Sequence, residues 1–186
     1  MTERPRVFLD TESTRLPPNH RPWEIALVSD YPTGTTEVVI VVTDLDLSDA
    51  DPKSLAMNGF HDRHPKGDRF AGEDPTVMYL TESDTASALE FLLDKVEIVC
   101  AQPPFDLECI GALLSRNNAE RTWHYRTRDI ESLAEGFLRR PVGGLQDCAK
   151  LLDVEVDPLA VHSALGDARL VRACWHAMFG SYTGTV

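Results

Sequence analysis

A short apolar stretch that ends in two acids, Val7-Phe8-Leu9-Asp10-Thr11-Glu12, constrains the fold of this chain most strongly. The apolar residues predict a buried strand. Side chains alternate between the two faces of a strand, so Asp10 and Glu12 are expected on one face and Thr11 on the other. Two neighbouring carboxylates at the border of a core repel each other and are costly to remove from water. A divalent cation would compensate them, because hard cations take carboxylate oxygens. A solvated strand end followed by a turn explains the stretch equally well.

The patterns that follow predict a sheet of mixed direction. Strands are predicted over residues 23–29 and 36–42, joined by a turn at Tyr31–Gly34, and three consecutive strands suggest an antiparallel meander. From Thr81, which with Asp84 resembles a capping box, the apolar spacing becomes helical, and Asp129 is the expected N-cap of a later helix. A buried strand at 98–101 and a weaker strand pattern at 122–127 interrupt the helices. The last helix is predicted over 164–178. We therefore expect an α/β fold, a mixed β-sheet with helices packed on both faces.

Length and charge limit the class of protein. The 186 residues fit a single domain over residues 1–186, with a core at about 5–179 and short tails. The net charge of −12 argues against a general polyanion-binding surface, although it allows nucleic acid at one local site where metal ions neutralise the phosphate. No apolar run is long enough to span a bilayer, and residues 1–6 show no signal region, so a cytoplasmic protein without a membrane partner is expected.

The cysteines and two of the histidines belong to residue types that bind metal, but they are not expected to form a metal site. The cysteines are widely spaced in apolar patterns, which predicts reduced, buried thiols at Cys100, Cys109, Cys148 and Cys174. Residues 61–75 are dense in charge, Gly and Pro, and predict a mobile surface loop behind a short helix at 54–58 that Gly59 ends. His61 and His64 in this loop are expected to be solvated, because no third ligand stands at a familiar spacing.

Two later stretches also place an acid at the boundary of an apolar element. Asp106 follows a buried strand and a proline-rich turn and opens the next helix, where the helix dipole alone would favour an acid. His162 and Asp167 are five residues apart, which is roughly 140° on an ideal helix. They converge more easily if His162 precedes the last helix and Asp167 lies about one turn inside it. A histidine at a helix start and a solvated acid are the simpler alternative.

Taken in order, Asp10-Thr11-Glu12, Phe105-Asp106 and His162-x-Ala-x-x-Asp167 resemble the motifs of the DEDDh, or DnaQ-like, 3′–5′ exonucleases. The resemblance covers the chain from Val7 to about Met178. It implies a ribonuclease-H-like fold and two Mg²⁺ or Mn²⁺ ions, which the four acids Asp10, Glu12, Asp106 and Asp167 would hold. It also implies that His162 acts as the general base for the attacking water.

The resemblance further implies contacts to the substrate from Thr11, Leu16, Asn58, Phe60 and Phe105. Leu16 would be an apolar wedge near the terminal base, and Glu12 would also touch the 3′-hydroxyl. Phe60 would stack on a base, although a core position suits it equally well. The chain departs from the family pattern at Arg15, where Gly is frequent, and at Gln102, where Asn is usual. Neither change removes a metal ligand.

The leading functional interpretation is a metal-dependent exonuclease that releases nucleoside monophosphates from single-stranded 3′ ends, with DNA favoured. An exoribonuclease on short RNA or RNA 3′ tails is the nearest alternative, because no residue indicates a 2′-hydroxyl contact. A non-catalytic polymerase-docking or nucleic-acid-binding module and a small-molecule hydrolase are alternatives of another class. The expected partners are a DNA or RNA 3′ end, a polymerase or replication protein, and a second copy in a homodimer.

Overall fold

The strand that carries Asp10 and Glu12 lies at the centre of a mixed β-sheet. A computed structural model describes residues 4–31 and 34–180. Its strands are β1 (Arg6–Ser13), β2 (Pro22–Tyr31), β3 (Gly34–Val42), β4 (Met78–Leu80), β5 (Glu97–Cys100) and β6 (Arg128–Asp129). They lie side by side in the order β4-β3-β2-β1-β5-β6. The β1–β2 and β2–β3 pairs are antiparallel, which confirms the meander, and the remaining pairs are parallel.

Helices cover both faces of this sheet. They are α1 (Pro52–Met57), α2 (Phe60–Arg63), α3 (Glu82–Leu92), α4 (Pro103–Arg116), α5 (Ile130–Leu138), α6 (Leu145–Leu151) and α7 (Ala164–Phe179). Val7 and Leu9 of β1 belong to a core cluster with residues of α1 to α4. Phe8 points to the opposite face, where its cluster includes residues of α5, α6 and α7. The alternation along β1 therefore divides the core into two layers, and the predicted α/β architecture is confirmed.

Local signals placed several helix starts correctly. The Thr81 hydroxyl accepts the backbone N–H of Asp84 at 3.1 Å, and the Asp129 carboxylate accepts the N–H of Glu131 at 2.9 Å. The last helix begins at Ala164, so His162 precedes it and Asp167 lies in its first turn, as predicted. All four cysteines are buried and free. Within residues 4–31 and 34–180, we find no helix with the length and apolar character needed to cross a membrane.

Two local predictions were wrong. Residues 122–127 form no strand: only Arg128 and Asp129 pair with β5. The stretch before them is polar and partly exposed. The N–H of His124 donates to the Val96 carbonyl, but no strand ladder continues from this bond. β4 was not predicted, because it has only three residues.

The second wrong prediction concerns His64, which was expected to be solvated but is completely buried. Its Nε2 donates to the Val42 carbonyl at 2.8 Å, and its ring stacks on Phe60 with centroids 4.4 Å apart. Burial lowers the pKa of His64, which favours the neutral ring. His61 remains partly exposed and lies 2.8 Å from Asp68. The mobility of the 61–75 segment stays a prediction. The expected turn at Tyr31–Gly34 and the tail beyond 180 fall partly or wholly outside the described residues.

Candidate metal centre

Strand β1 places two carboxylates on the face of the sheet that α7 covers. Asp10 pairs with Ala26 of β2 and Glu12 pairs with Glu24, so both acids lie in the paired part of β1, just before the register shift between Glu12 and Ser13. Both side chains leave β1 on the side of Phe8, as the period-two alternation predicts. Thr11 points to the other face, where it is 5% exposed. The two acids therefore border a core layer and do not belong to a solvated turn.

The third acid of the cluster comes from the first turn of α7. Ser163 caps this helix through its hydroxyl, which accepts the N–H of Gly166 at 3.2 Å. The Asp167 N–H is donated to the Ser163 carbonyl at 3.0 Å. One carboxylate oxygen from each of Asp10, Glu12 and Asp167 lies within 4.8 Å of the others. In the part of the chain that the structure describes, no other group of three or more acids, histidines or cysteines is close enough to hold an ion.

Asp106 approaches the cluster from the first turn of α4 and is 2% exposed. Its Oδ1 accepts the N–H of Thr11 at 3.1 Å and the hydroxyl of Thr11 at 2.8 Å. The neighbouring Cys100 thiol also acts to lower the pKa of this carboxylate. Asp106 is not part of the group of three whose oxygens lie within 4.8 Å, although its charge acts on Asp10 and it is affected in turn by Asp167. The structure therefore brings the fourth predicted ligand next to the cluster, held there by Thr11.

Burial and mutual repulsion raise the pKa of every acid in this cluster. Burial raises the pKa of Asp10 well above its usual value, and the charges of Asp106, Asp167, Glu12 and Glu24 raise it further. Burial, followed by the charges of Glu24 and Asp167, raises the pKa of Glu12 to about 8. Burial raises the pKa of Asp106 to about 7, although the hydrogen bonds from Thr11 oppose this. Burial also raises the pKa of Asp167.

These shifts provide a test of whether the residues suit a divalent cation. A carboxylate with a raised pKa is one for which the surroundings supply too little positive charge. Two of the acids hold protons near neutral pH, and the oxygens of three lie close enough to share one ion. Carboxylate oxygen is the donor that Mg²⁺ and Mn²⁺ prefer. The donor set therefore fits hard divalent cations.

His162 lines a cleft of about 310 Å³, together with Asp167, the glycines Gly143 and Gly144 and the first turn of α6. The histidine is exposed and has a positive φ of 60°. Its charge and its backbone N–H both act to lower the pKa of Asp167, against the larger effect of burial. The loop before α7 thus presents the imidazole to solvent beside one of the clustered acids.

Glu24 and Arg63 are site residues that the sequence did not reveal. Glu24 is 5% exposed and stands next to Glu12 across the β1–β2 pair. Arg63 donates two hydrogen bonds to the Glu24 carboxylate, from Nε to Oε1 at 2.9 Å and from Nη2 to Oε2 at 2.8 Å. The same Glu24 carboxylate accepts the first N–H of α7, that of Ala164, at 2.9 Å. The sequence did contain one signal for Glu24, because this acid stands within an apolar strand pattern, Trp23-Glu24-Ile25.

Arg63 connects this ion pair to the rest of the site. Its Nη2 also donates to the carbonyls of Asn58 at 2.8 Å and His162 at 3.2 Å. Gly59 lies under the guanidinium with a φ of 68°, and a β-carbon there would collide with Arg63. Glycine is therefore favoured at this position by the left-handed backbone, and a larger residue would also displace the Arg63 guanidinium. One arginine holds together the end of α1, the middle of the sheet and the loop that carries His162.

The predicted substrate-binding residues divide into exposed and buried groups. Leu16 is 70% exposed, and Phe105 is partly buried with its ring 4.8 Å from that of His20. Asn58 is buried: its Nδ2 donates to the Ser13 carbonyl at 2.8 Å, and its Oδ1 has no hydrogen-bond partner. Phe60 is 2% exposed and packs against Trp23 at 5.4 Å, so the alternative interpretation of Phe60 as a core residue is confirmed. The Thr11 hydroxyl donates a hydrogen bond to the Asp106 carboxylate.

Comparisons with known proteins leave the interpretation of the cluster to its geometry. No protein-family model matches the chain, and no curated protein matches it.

Proposed function

We propose that this protein is a metal-dependent 3′–5′ exonuclease of the DEDDh type, with a ribonuclease-H-like fold. It would release nucleoside monophosphates from the 3′ ends of single-stranded nucleic acid, with DNA favoured over RNA. One observation carries the proposal: oxygens of Asp10, Glu12 and Asp167, from two separate elements, converge within 4.8 Å. A fourth acid, Asp106, is buried beside them.

Asp10, Glu12 and Asp167 would hold two divalent cations, Mg²⁺ or Mn²⁺, together with Asp106. When bound, these ions supply charge neutralisation for the scissile phosphate and for the attacking and leaving oxygens. The acids contribute by staying close together despite their repulsion, because β1 and the start of α7 fix them in place. Thr11 orients Asp106 with two hydrogen bonds, so this carboxylate cannot turn away from the cluster.

His162 would accept the proton of the attacking water. Three features support this role: the ring is exposed, it lines the same cleft as Asp167, and its backbone is anchored by Arg63. A positioned base in reach of the water is the usual partner of an acid cluster in hydrolysis. Leu16, exposed just beyond β1, would contact the terminal base. Glu12 would touch the 3′-hydroxyl as well as an ion.

A complete set of acids with raised pKa values argues against a non-catalytic docking module. Keeping several partly buried carboxylates together destabilises the fold unless something binds them. A chain that had lost its chemistry would be free to replace them. The raised pKa values of Glu12 and Asp106 therefore favour an active enzyme over a binding module.

The test is a side-by-side digest of single-stranded DNA and RNA, labelled at the 3′ or the 5′ end, with Mg²⁺, Mn²⁺ or EDTA. We expect immediate release of a labelled mononucleotide from the 3′-labelled strand and progressive shortening of the 5′-labelled strand. EDTA should stop both. Faster digestion of RNA would select the exoribonuclease alternative. Internal cuts, or undiminished hydrolysis in EDTA, would overturn the proposal, and hydrolysis of mononucleotide esters alone would indicate a small-molecule hydrolase.

A further inference from the structure

The segment Arg121–Arg128 is unlike the rest of this acidic protein. It reads Arg-Thr-Trp-His-Tyr-Arg-Thr-Arg, with three arginines, three aromatic rings and no acid, in a chain of net charge −12. It connects α4 to β6 and forms no strand or helix before Arg128. Acids flank it at Glu120 and Asp129 only. We call this segment the basic–aromatic strip.

Arginine and aromatic side chains of the strip pack against each other and leave their outer surfaces open. The guanidinium of Arg126 lies 5.5 Å from the ring centre of Tyr125, and its Nε donates to the Tyr125 hydroxyl at 3.1 Å. The rings of His124 and Tyr125 are 4.4 Å apart. Tyr125 is 78% exposed, and Arg126 is exposed too. The ring and the charge are therefore held as a unit that faces solvent.

The guanidinium groups of this strip are largely without acidic partners. Within the described residues, neither Arg121 nor Arg126 forms an ion pair, and only Arg128 approaches an acid, with 3.9 Å to Glu97. Arg121 instead lies 5.8 Å from the ring centre of Trp123, and its guanidinium covers Gly111 of α4. Arg69, which is also exposed, is by contrast neutralised by Asp62 at 2.8 Å. The strip thus keeps positive charge available for an anion.

The first half of the strip is fixed at the end of the sheet opposite to the acid cluster. The Lys95 N–H is donated to the Thr122 carbonyl at 3.0 Å, and the His124 N–H to the Val96 carbonyl at 2.9 Å. Both contacts precede β5, whose first residue pairs with Arg6 at the start of β1. Asp10 and Glu12 lie four and six residues further along β1. At about 3.3 Å per residue, roughly 13–20 Å along the sheet separates Thr122 and His124 from the two acids. Arg128, at the other end of the strip, pairs with Val99 and is level with Phe8, two strands away from β1.

We propose that the basic–aromatic strip binds single-stranded nucleic acid at a second site, separate from the acid cluster. Exposed aromatic rings stack on unpaired bases of any sequence, and guanidinium groups bind the neighbouring phosphates. Both groups occur here within a few residues, whereas the net charge of −12 disfavours polyanion binding over the surface in general. The biological role rests on the proposed exonuclease function, because a strand held here would be kept near the enzyme between cleavage events. The binding itself does not depend on hydrolysis.

The test measures binding of a long fluorescent oligothymidine to the full chain by anisotropy in EDTA, where the acid cluster can neither hydrolyse nor bind phosphate through metal. We compare the parent with Tyr125→Ala/Arg126→Gln, whose side chains are exposed. The control is Phe91→Ala/Lys150→Gln, which removes one exposed aromatic ring and one exposed charge elsewhere. The strip variant should bind roughly tenfold more weakly. Its slope of log K against log salt should be shallower by about 0.7, the effect of one phosphate contact on a single strand.

Further arms distinguish stacking from charge. Tyr125→Ala alone should weaken binding of oligothymidine but not of an abasic strand of equal length, because only the former has bases to stack. With Mg²⁺, the strip variant should raise KM for long strands and leave a dinucleotide unaffected. Equal loss in the control variant, or unchanged affinity and salt slope in the strip variant, overturns the proposal. If Tyr125→Ala weakened the binding of heparin and the binding of oligothymidine equally, that result would also overturn the proposal. Loss of hydrolysis with intact binding would overturn only the nuclease function.

Discussion

Arg63 and Glu24 form a two-bonded ion pair on the flank of the acid cluster, and the same Glu24 carboxylate caps α7 through the N–H of Ala164. This relationship explains how a fifth acid is tolerated so close to Glu12. The Glu24 charge raises the pKa of Glu12 while the Arg63 charge lowers it. The pair therefore joins the sheet to the helix that supplies Asp167 without leaving its own charge uncompensated.

Removing Arg63 should destabilise the fold more than removing both members of the pair. Arg63→Gln leaves a carboxylate that is 5% exposed without its partner, whereas Glu24→Gln/Arg63→Gln does not. Losing one partner of a buried pair costs about 3–5 kcal/mol, and the partial exposure of Arg63 reduces this to roughly 1–3 kcal/mol. Urea unfolding in EDTA measures the difference. The control is Arg69→Gln, from an exposed pair with Asp62, which should cost less than about 1 kcal/mol. If the losses of unfolding free energy in Arg63→Gln and in Glu24→Gln add up to the loss in the double variant, the two residues are not coupled.

Asp10→Asn should abolish hydrolysis while the metal-free protein stays as stable as the parent or becomes more stable. The change removes an ion ligand and relieves repulsion that raises the pKa of Asp10. Turnover with saturating Mn²⁺, calorimetric titration with Mn²⁺ and thermal unfolding in EDTA are the three measurements. Glu108→Gln, on the exposed side of α4, is the control and should alter none of them. An Asp10→Asn protein with most of its turnover and normal Mn²⁺ affinity would contradict the metal assignment.

Stability of the metal-free protein should fall as pH rises from about 4.5 to about 8. The pKa of Glu12 is about 8 in the folded protein and 4.5 ordinarily, so the folded state binds the proton more tightly in this range. A raised carboxyl pKa thus favours folding at low pH, and that contribution is lost as pH passes through the folded value. Each pKa unit corresponds to about 1.4 kcal/mol, and Asp106 acts in the same direction with a pKa of about 7.

Urea unfolding in EDTA at several pH values checks this dependence. Glu12→Gln should flatten it, with a gain in stability at pH 8 and little change near pH 5, whereas Glu108→Gln should follow the parent. Saturating Mg²⁺ should stabilise the parent more at pH 8 than at pH 6, because deprotonated carboxylates bind the ion. Stability that rises steadily from pH 5 to 8 in EDTA would contradict the raised pKa values.

Replacing His162 should lower turnover by roughly 10²–10⁴-fold, the usual effect of losing a positioned base. The imidazole is exposed, so the fold should survive. Because φ is 60° there, His162→Asn is preferred to His162→Ala, since asparagine tolerates the left-handed conformation. Metal affinity should change little, and the limb of the pH–rate profile that reports the base should disappear. Turnover within a few-fold of the parent at saturating Mn²⁺, with the same pH profile, would leave His162 as a residue that merely precedes the helix.

Local pattern determined a large part of this protein. Alternation along β1 was sufficient to place Asp10 and Glu12 on one side and Thr11 on the other, because the side-chain period of a strand is independent of what packs against it. The capping residues Thr81 and Asp129 marked helix starts for a similar reason, since each bonds to N–H groups two or three residues away. These features are short-range, and a single sequence contains them.

Only the tertiary structure decided which distant groups meet. The bond between Thr11 and Asp106 joins residues 95 apart, and that between Glu24 and Ala164 joins residues 140 apart. Phe60 and His64 are buried because α2 folds onto Trp23, although their segment is rich in charge. The stretch 122–127 has strand-like residues, but only Thr122 and His124 bond to the backbone of Lys95 and Val96, and ladder pairing begins at Arg128. Burial, pairing and pKa depend on the path of the whole chain, whereas periodicity and capping depend only on nearby residues.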